Sequence, residues 1–241
     1  MKKLICKLLN SLYTDENNCI VCDRELTTKN RYGLCPECDK NLPRNNGKVC
    51  VKCGKPIYDE AEYCIVCNNN TRYFDRVCSP LIYKDSIEKL VLNYKFYNKR
   101  FLHKYLVSFL IDEYLDKAFN ADIIIPVPMT EKGRKERGFS QTELLAKALS
   151  ERLNIAYLAD GVIKTKDTEH QAKLSGQMRA KNVQGVFKLN ADVKGKRVLI
   201  IDDILTTGAT ISEVARAVLR GKPLSVEGLT LSNAEYRPYS E

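Results

Sequence analysis

Residues 198–210 read VLIIDDILTTGAT, an apolar run followed by two acids and then by small and hydroxylated residues. The apolar run is typical of a strand buried in a parallel sheet, and the apolar spacing that follows predicts a helix over 210–220. Ligands of open α/β sheets bind beyond the carboxyl ends of the strands, where Asp202 and Asp203 are expected to stand. The segment therefore predicts a ligand site at the carboxyl edge of an α/β domain.

The turn after the acids has the composition of a phosphate seat. Its backbone amides, its threonine hydroxyls and the positive end of the following helix can all face an anion. We expect these groups to bind a phosphate monoester through Thr206, Thr207, Gly208, Ala209 and Thr210. Asp202 and Asp203 would repel that phosphate, so they suit sugar hydroxyls or a Mg²⁺ ion held through water. A plain helix-capping turn is the alternative, but it does not explain two adjacent acids.

Strands and helices alternate through the C-terminal two thirds of the chain. Apolar residues repeat at helical spacing within 86–118 and again within 140–153. Compact apolar runs predict strands at 122–125 and 225–231. The alternation predicts an α/β domain with a mostly parallel sheet. A polar run after Cys67 separates this α/β domain from a small N-terminal cysteine-rich domain. The expected domains are therefore 1–72 and 73–241.

All ten cysteines lie within the first 78 residues, and eight of them form four CxxC pairs. Two such pairs can place four thiolates around one zinc ion in a closed, structural site. Disulfides fit poorly because nothing in the sequence signals secretion. Sequential pairing gives two sites, although the spacing also allows an interleaved cross-brace. We expect two structural Zn²⁺ ions bound by Cys19, Cys22, Cys35, Cys38, Cys50, Cys53, Cys64 and Cys67. Cys6 and Cys78 are expected to be small buried apolar residues.

Composition describes a globular, modestly basic chain. Of its 241 residues, 44% are hydrophobic and 29% are charged, and the net charge is +9. No apolar run approaches the ~20 residues that a membrane span needs, and the basic, apolar start lacks a signal-peptide cleavage site. We therefore expect a cytoplasmic protein without a transmembrane segment. The positive excess favours anionic partners, but it equally describes an ordinary solvated surface.

The thirteen residues 198–210 resemble the 5-phosphoribosyl-1-diphosphate (PRPP) binding signature of type I phosphoribosyltransferases along their whole length. The resemblance implies that fold, with Mg²⁺ bound together with PRPP. It implies Asp202 and Asp203 as candidate catalytic acids on the ribose hydroxyls, and the threonine–glycine loop on the 5-phosphate. The turn after the strand at 122–125 holds pyrophosphate in that family, so Val127 and Pro128 are implied ligands.

Basic residues follow that turn and recur later in the chain. Guanidinium forks pair well with phosphate oxygens, which suits Arg134, Lys135 and Arg137, although a solvated basic turn is the alternative. The polar stretch 164–179 corresponds to the flexible lid of the transferases. A lid of this kind can neutralise a departing pyrophosphate. Its candidate residues are Lys164, Lys166, Gln171 and Arg179.

Residues 125–128, IPVP, and 133–141, GRKERGFSQ, resemble the ComF family of competence proteins. A zinc module before a phosphoribosyltransferase-like domain is the layout of that family. The resemblance implies a cytoplasmic role in natural transformation, acting on incoming single-stranded DNA with a competence helicase or another DNA-uptake protein. Ser140 stands where the family usually has Asn, and Val186 where Ala is common. Neither departure touches the phosphate loop.

Three functions stay open at this point. The first is an active phosphoribosyltransferase that releases pyrophosphate from PRPP to an unknown acceptor, for which no base pocket is recognisable. The second is a DNA-uptake protein, because aromatic and basic residues interleave over 83–101 and suit a single strand; an amphipathic helix has the same pattern. The third is a sensor that binds PRPP or a nucleotide without turnover. We favour the second function together with a phosphoribosyl site, because this combination explains both halves of the chain.

Overall fold

The computed structural model describes residues 17–28, 30–97, 99–165 and 184–234. Its strands in chain order are β1 (Val77–Cys78), β2 (Leu81–Ile82), β3 (Ile123–Pro126), β4 (Ala156–Tyr157), β5 (Val162–Lys164), β6 (Phe187–Leu189), β7 (Arg197–Leu205) and β8 (Ser225–Asn233). Within the described ranges, six strands form one parallel sheet in the order β1-β8-β7-β3-β4, with β2 also paired to β8. β5 and β6 form a separate antiparallel pair. The predicted parallel α/β sheet is confirmed.

The helices are α1 (Pro36–Lys40), α2 (Ile65–Asn68), α3 (Asp85–Phe96), α4 (His103–Asp116), α5 (Glu131–Arg137), α6 (Gln141–Leu153) and α7 (Ala209–Leu219), with a 3₁₀ turn at Arg100–Leu102. The helices predicted over 86–118, 140–153 and 210–220 are confirmed as α3 with α4, as α6 and as α7. Among the described residues, every helix is too short or too polar to span a lipid bilayer.

Each face of the parallel sheet carries its own hydrophobic core. Side chains alternate between the two faces along a strand, so Ile124 and Leu199 enter one core while Ile125 and Ile200 enter the other. The first core also holds buried residues of α3, α4 and α6. The second holds the apolar face of α7 and part of β6. Burial on both faces explains why the strand sequences are almost continuously apolar.

The cysteine-rich region contributes to both cores. Leu34 and Leu42, from the region of the first four cysteines, pack in the core with α3 and α4. Cys50 and Cys53, together with Phe74 just beyond the last cysteine, pack in the core with α7. Two halves of one small domain are therefore placed on opposite faces of the sheet.

Two local features differ from the sequence expectation. β7 continues through Asp202 and Asp203 to Leu205, so both acids lie inside the strand, because β8 pairs with it over its whole length. The segment interpreted as a possible basic turn is instead the short helix α5, whose first turn is capped by the Thr130 hydroxyl accepting from the Gly133 amide.

Candidate functional site

β7 carries the two acids to the carboxyl edge of the sheet. Asp202 Oδ1 accepts a hydrogen bond from the amide of Asp203 at 2.8 Å. Burial and the neighbouring Asp203 carboxylate together raise the pKa of Asp202 to about 7. Asp202 therefore changes its protonation state near neutral pH, as groups at functional sites often do.

Lys95, in the last turn of α3, pairs with the second acid. Its Nζ lies 2.8 Å from Asp203 Oδ2, and the two side chains are 16% and 12% exposed. Because successive side chains of a strand point to opposite faces, Asp203 meets α3 while Asp202 points to the other side. The ion pair thus neutralises Asp203 and leaves Asp202, among the described residues, as the acid of the site without an ion pair.

The loop between β7 and α7 leaves its backbone donors open. Within the described residues, the amides of residues 206–208 and of Thr210 donate no hydrogen bond. Gly208 has a left-handed φ of 74°, and the first backbone bond of α7 runs from the Ser212 amide to the Gly208 carbonyl at 3.0 Å. Free amides at a helix N-terminus form an arrangement that can hold an anion.

The turn after β3 lies at the same edge as the acids. β3 and β7 are parallel neighbours, with Pro126 opposite Ile201. The Val127 amide donates to the Ile201 carbonyl at 2.9 Å, and the Thr142 hydroxyl donates to the Val127 carbonyl at 2.9 Å. The structure therefore brings Val127 and Pro128 beside the strand that carries the acids.

The three basic residues of α5 that were predicted to bind phosphate, among its four, have different surroundings. Arg134 forms a two-bond ion pair with Glu143, so its fork is engaged. The Arg137 guanidinium donates to Gln141 Oε1 at 3.1 Å and lies 4.9 Å from the centre of the Phe96 ring. Lys135 is exposed. The lysine at the end of β5, Lys164, lies 6.0 Å from the centre of the Phe187 ring.

Three of the predicted lid residues, Lys166, Gln171 and Arg179, lie outside the described residues, as does Cys6. Cys78 is half-buried in β1, and burial raises the pKa of its thiol to about 11. It therefore stays protonated at neutral pH, in keeping with the apolar role expected of it.

The eight paired cysteines form two separate tetrads. The Sγ atoms of Cys19, Cys22, Cys35 and Cys38 lie within 4.8 Å of one another, and so do those of Cys50, Cys53, Cys64 and Cys67. Sulfurs bound to one tetrahedral Zn²⁺ at about 2.3 Å would be about 3.8 Å apart. The Cys22–Cys35 and Cys53–Cys64 sulfurs are 3.8 Å and 3.6 Å apart. Both tetrads fit zinc, and the pairing is sequential.

Comparison with known proteins agrees with this architecture. The double zinc ribbon domain model matches residues 8–68, and the phosphoribosyl transferase domain model matches residues 140–237. Competence protein F of Haemophilus influenzae is 29% identical, covering 82% of this chain and 89% of that protein. Competence protein ComFC of Bacillus subtilis is 26% identical over 95% of both chains. The chain is thus similar to competence proteins over most of its length, and it combines a double zinc ribbon with a phosphoribosyl transferase domain.

Other proteins similar to this chain carry a different name. The DNA utilization protein YhgH of Escherichia coli K12 is 28% identical, covering 81% of this chain and 88% of that protein. Among solved structures, glutamine PRPP amidotransferase from B. subtilis matches 58% of this chain and 30% of its own, with 20% identity and a TM-score of 0.40. Purine phosphoribosyltransferase from Pyrococcus horikoshii matches 56% and 76%, with 20% identity and a TM-score of 0.33.

Sequence reasoning missed two side chains of this candidate site. Lys95 belongs to the interleaved aromatic and basic stretch over 83–101 that suits a single strand of DNA, whereas the structure pairs it with Asp203. One signal was present, because Lys95 stands four residues after the buried Val91 and so continues the inward face of α3. Arg72, whose Nη2 donates to the Thr207 carbonyl at 2.8 Å, had no such signal.

Proposed function

We propose that this protein is a ComF-type protein that binds PRPP, with Mg²⁺, at the carboxyl edge of β7 and handles incoming single-stranded DNA in the cytoplasm. One observation carries the proposal: open backbone amides at the start of α7 follow closely after the half-buried Asp202 and the buried Asp203. An anion seat next to carboxylates matches a ligand that has a phosphate at one end and hydroxyls beside it.

Each part of the ligand has a chemically suitable counterpart. The amides of residues 206–208 and the Thr210 amide are donors for the 5-phosphate. Asp202, which ionises near pH 7, accepts from the ribose hydroxyls. Lys95 reduces the negative charge that Asp203 would otherwise set against an anionic ligand. Mg²⁺ would neutralise part of the negative charge of the diphosphate.

The DNA part of the proposal is supported by the names of the relatives and by an exposed surface beside the site. Tyr94, one of the aromatic residues of the interleaved stretch, is fully buried and cannot stack on a base. Phe96 and Tyr97 are 59% and 71% exposed. The Arg137 guanidinium lies over the Phe96 ring. Aromatic rings next to guanidinium groups suit the bases and phosphates of a single strand.

The ligand test is a calorimetric titration of PRPP and Mg²⁺ into the full chain. We expect Asp202→Asn to weaken binding by about tenfold, because one charge-assisted hydrogen bond to the ribose is lost. Asp122→Asn is the control, since Asp122 pairs with Arg197 at the opposite edge of the same two strands. Absence of PRPP binding by the unmodified chain would end the proposal.

A pyrophosphate-release assay, with a panel of nucleobases and amines as acceptors, separates the enzyme from a protein that binds PRPP without turnover. Release that depends on one acceptor would establish a transferase and name its acceptor class. Binding without release under every condition would establish the sensor.

The DNA test uses fluorescence anisotropy of a labelled oligonucleotide at low salt. We expect binding that falls steeply with added salt, because phosphate contacts release counterions. The variant Phe96→Ala with Tyr97→Ala should weaken it by about tenfold or more, since each stacked base is worth ~1–3 kcal/mol. Tyr58→Ala is the matched control, because Tyr58 is a tyrosine that is 82% exposed in the zinc region. Equal loss in both variants would remove the surface assignment.

A further inference from the structure

Arg72 follows the second zinc ribbon, which carries the second cysteine tetrad, and contacts the loop between β7 and α7. It stands five residues after Cys67, the last ligand of the second tetrad. Its Nη2 donates to the carbonyl oxygen of Thr207 at 2.8 Å, across 135 residues of sequence. A Cβ atom placed on Gly208 would lie 3.8 Å from Arg72 Cζ and Nη1. The guanidinium therefore packs against the loop itself.

Through the geometry of one peptide group, this contact determines the direction of the Gly208 amide, which is a proposed donor to the ligand. The Thr207 carbonyl and the Gly208 amide belong to the same peptide group, and no cis peptide occurs among the described residues. In a planar trans peptide the C=O and the N–H point in opposite directions. A Thr207 carbonyl held by Arg72 thus directs the Gly208 N–H to the side of the loop away from Arg72.

α7 does not hold that carbonyl in place. In a regular helix the Thr207 carbonyl would accept from the amide of Ile211, but the first backbone bond of α7 runs from Ser212 to Gly208. Among the described residues, Arg72 is the donor recorded for this carbonyl. Without Arg72, the peptide between Thr207 and Gly208 has no hydrogen bond that fixes its orientation.

Burial of the Arg72 Nε atom argues against a role in stability alone. Arg72 Nε is buried and has no partner in the part of the chain that the structure describes. A buried donor without an acceptor costs desolvation energy that an apolar side chain would not cost. The other buried side-chain atoms without a partner there are Ser232 Oγ and Asn233 Oδ1, at the same carboxyl edge of the sheet.

The backbone around Arg72 is anchored independently of the loop contact. The Tyr73 amide donates to the Ser212 hydroxyl at 3.2 Å, and the Phe74 side chain is buried in the core beside α7. The Asp75 carboxylate accepts from the Val226 amide at 2.8 Å. Arg72 therefore projects from a fixed connector, so the second tetrad and the connector together set where its guanidinium lies.

We infer that Arg72 is a positioning residue, which orients the Thr207–Gly208 peptide so that the Gly208 amide can bind the phosphate of the ligand. The ligand part of this inference rests on the proposed function. Arg72 acts on the loop and not on the turn after β3, so its loss affects the sugar-phosphate end of the ligand and not the pyrophosphate end.

The test compares Arg72→Met and Arg72→Lys with Arg76→Met in the full chain. Arg76 comes from the same connector and is equally engaged, since it pairs with Glu227 at 2.6 Å and lies 4.6 Å from the centre of the Phe119 ring. We expect Arg72→Met to weaken ribose 5-phosphate binding by about tenfold, the loss of one well-placed donor. Arg72→Lys should restore part of this affinity, and the affinity of Arg76→Met should stay within about twofold of that of the unmodified chain. Pyrophosphate affinity should not change.

A ligand-free measurement keeps this inference separate from the proposed function. The amide resonance of Gly208 in nitrogen–proton spectra should shift in Arg72→Met and stay in place in Arg76→Met, whether or not the protein binds a phosphate ester. An unshifted resonance would overturn the inference, and so would an equal loss of affinity in both methionine variants. If the Gly208 resonance shifts in Arg72→Met but the unmodified chain does not bind ribose 5-phosphate, the proposed ligand is overturned. The role of Arg72 in orienting the loop is then kept.

Discussion

Asp202 is a residue whose carboxyl group is costly for folding and which we propose to bind the ligand. Burial and Asp203 raise the pKa of its carboxyl from the ordinary value near 4 to about 7. Between these values the folded chain binds more protons than the unfolded chain, so stability falls as pH rises through this window and is level above it. We expect Asp202→Asn to remove this fall and to be more stable than the unmodified chain at pH 8. Urea unfolding at pH 5 and pH 8 measures both effects.

Asp122 provides a control of opposite sign. Its pair with Arg197 lowers the pKa of the Asp122 carboxyl to about 2. Here the folded chain binds fewer protons, so the pair contributes stability that is present above pH 4 and is lost as pH falls toward 2. Asp122→Asn should therefore destabilise the chain at pH 8, where Asp202→Asn stabilises it.

If the free energy of unfolding depends on pH in the same way for Asp202→Asn and for the unmodified chain, the raised pKa of Asp202 is contradicted.

The acids and the loop were predictable from sequence because their signal is local. A buried strand, two carboxylates and a small-residue turn are contiguous, so their geometry follows from thirteen residues. Lys95 and Arg72 reach the same site from other parts of the fold. Their roles depend on tertiary packing, which hydrophobic periodicity does not encode, and so both remained ordinary basic residues until the structure placed them.

At the scale of secondary structure, periodicity located the long elements and failed where an element is short. α6 and α7 each have a wide apolar face, which makes the helical period visible in their sequences. α5 has seven residues, contains Gly133 and buries none of its side chains. A helix without an apolar face has no periodic signal. Its start depends instead on the Thr130 cap, and its end on Gly138 at a φ of 74°.

The turn into α7 provides a test at this scale. Gly208 has a φ of 74°, and an added Cβ would meet only ordinary contacts at 3.7 Å or more. Gly208→Ala should therefore cost about 1–2 kcal/mol through backbone strain and not through steric clash. It should also weaken phosphate-ester binding, because relief of the strain moves the amides of the loop.

Gly195→Ala isolates the effect of the backbone. Gly195 has a φ of 66° with nothing within 4 Å of the added Cβ, and it lies in the turn before β7. Both variants should lower the free energy of unfolding in urea by similar amounts. Only Gly208→Ala should weaken ribose 5-phosphate binding in calorimetry. A loss of affinity in Gly195→Ala would show that general destabilisation, and not loop geometry, controls binding.

At the scale of the whole molecule, the two cysteine tetrads have different structural contexts. The ribbon of the first tetrad packs its apolar residues against the core with α3 and α4, on the face where Lys95 meets Asp203. The second tetrad lies on the other face, and Arg72 of its connector reaches the loop between β7 and α7. The CxxC spacing predicted both tetrads but not this division, because the contacts that create it join residues far apart in the sequence.

This division predicts that loss of the two tetrads has different consequences. Cys38→Ser and Cys67→Ser each remove one half-buried ligand, from the first and second tetrad respectively. Metal binding contributes folding energy in small ribbons, so both variants should lose zinc and unfold at a lower temperature. Cys67→Ser should in addition weaken ribose 5-phosphate binding by about as much as Arg72→Met, near tenfold for one displaced donor. Cys38→Ser should bind ribose 5-phosphate like the unmodified chain below its unfolding temperature.

Zinc content, thermal unfolding and calorimetry on the same samples separate these effects. Equal affinity for ribose 5-phosphate in the two variants would show that the second ribbon does not position the loop.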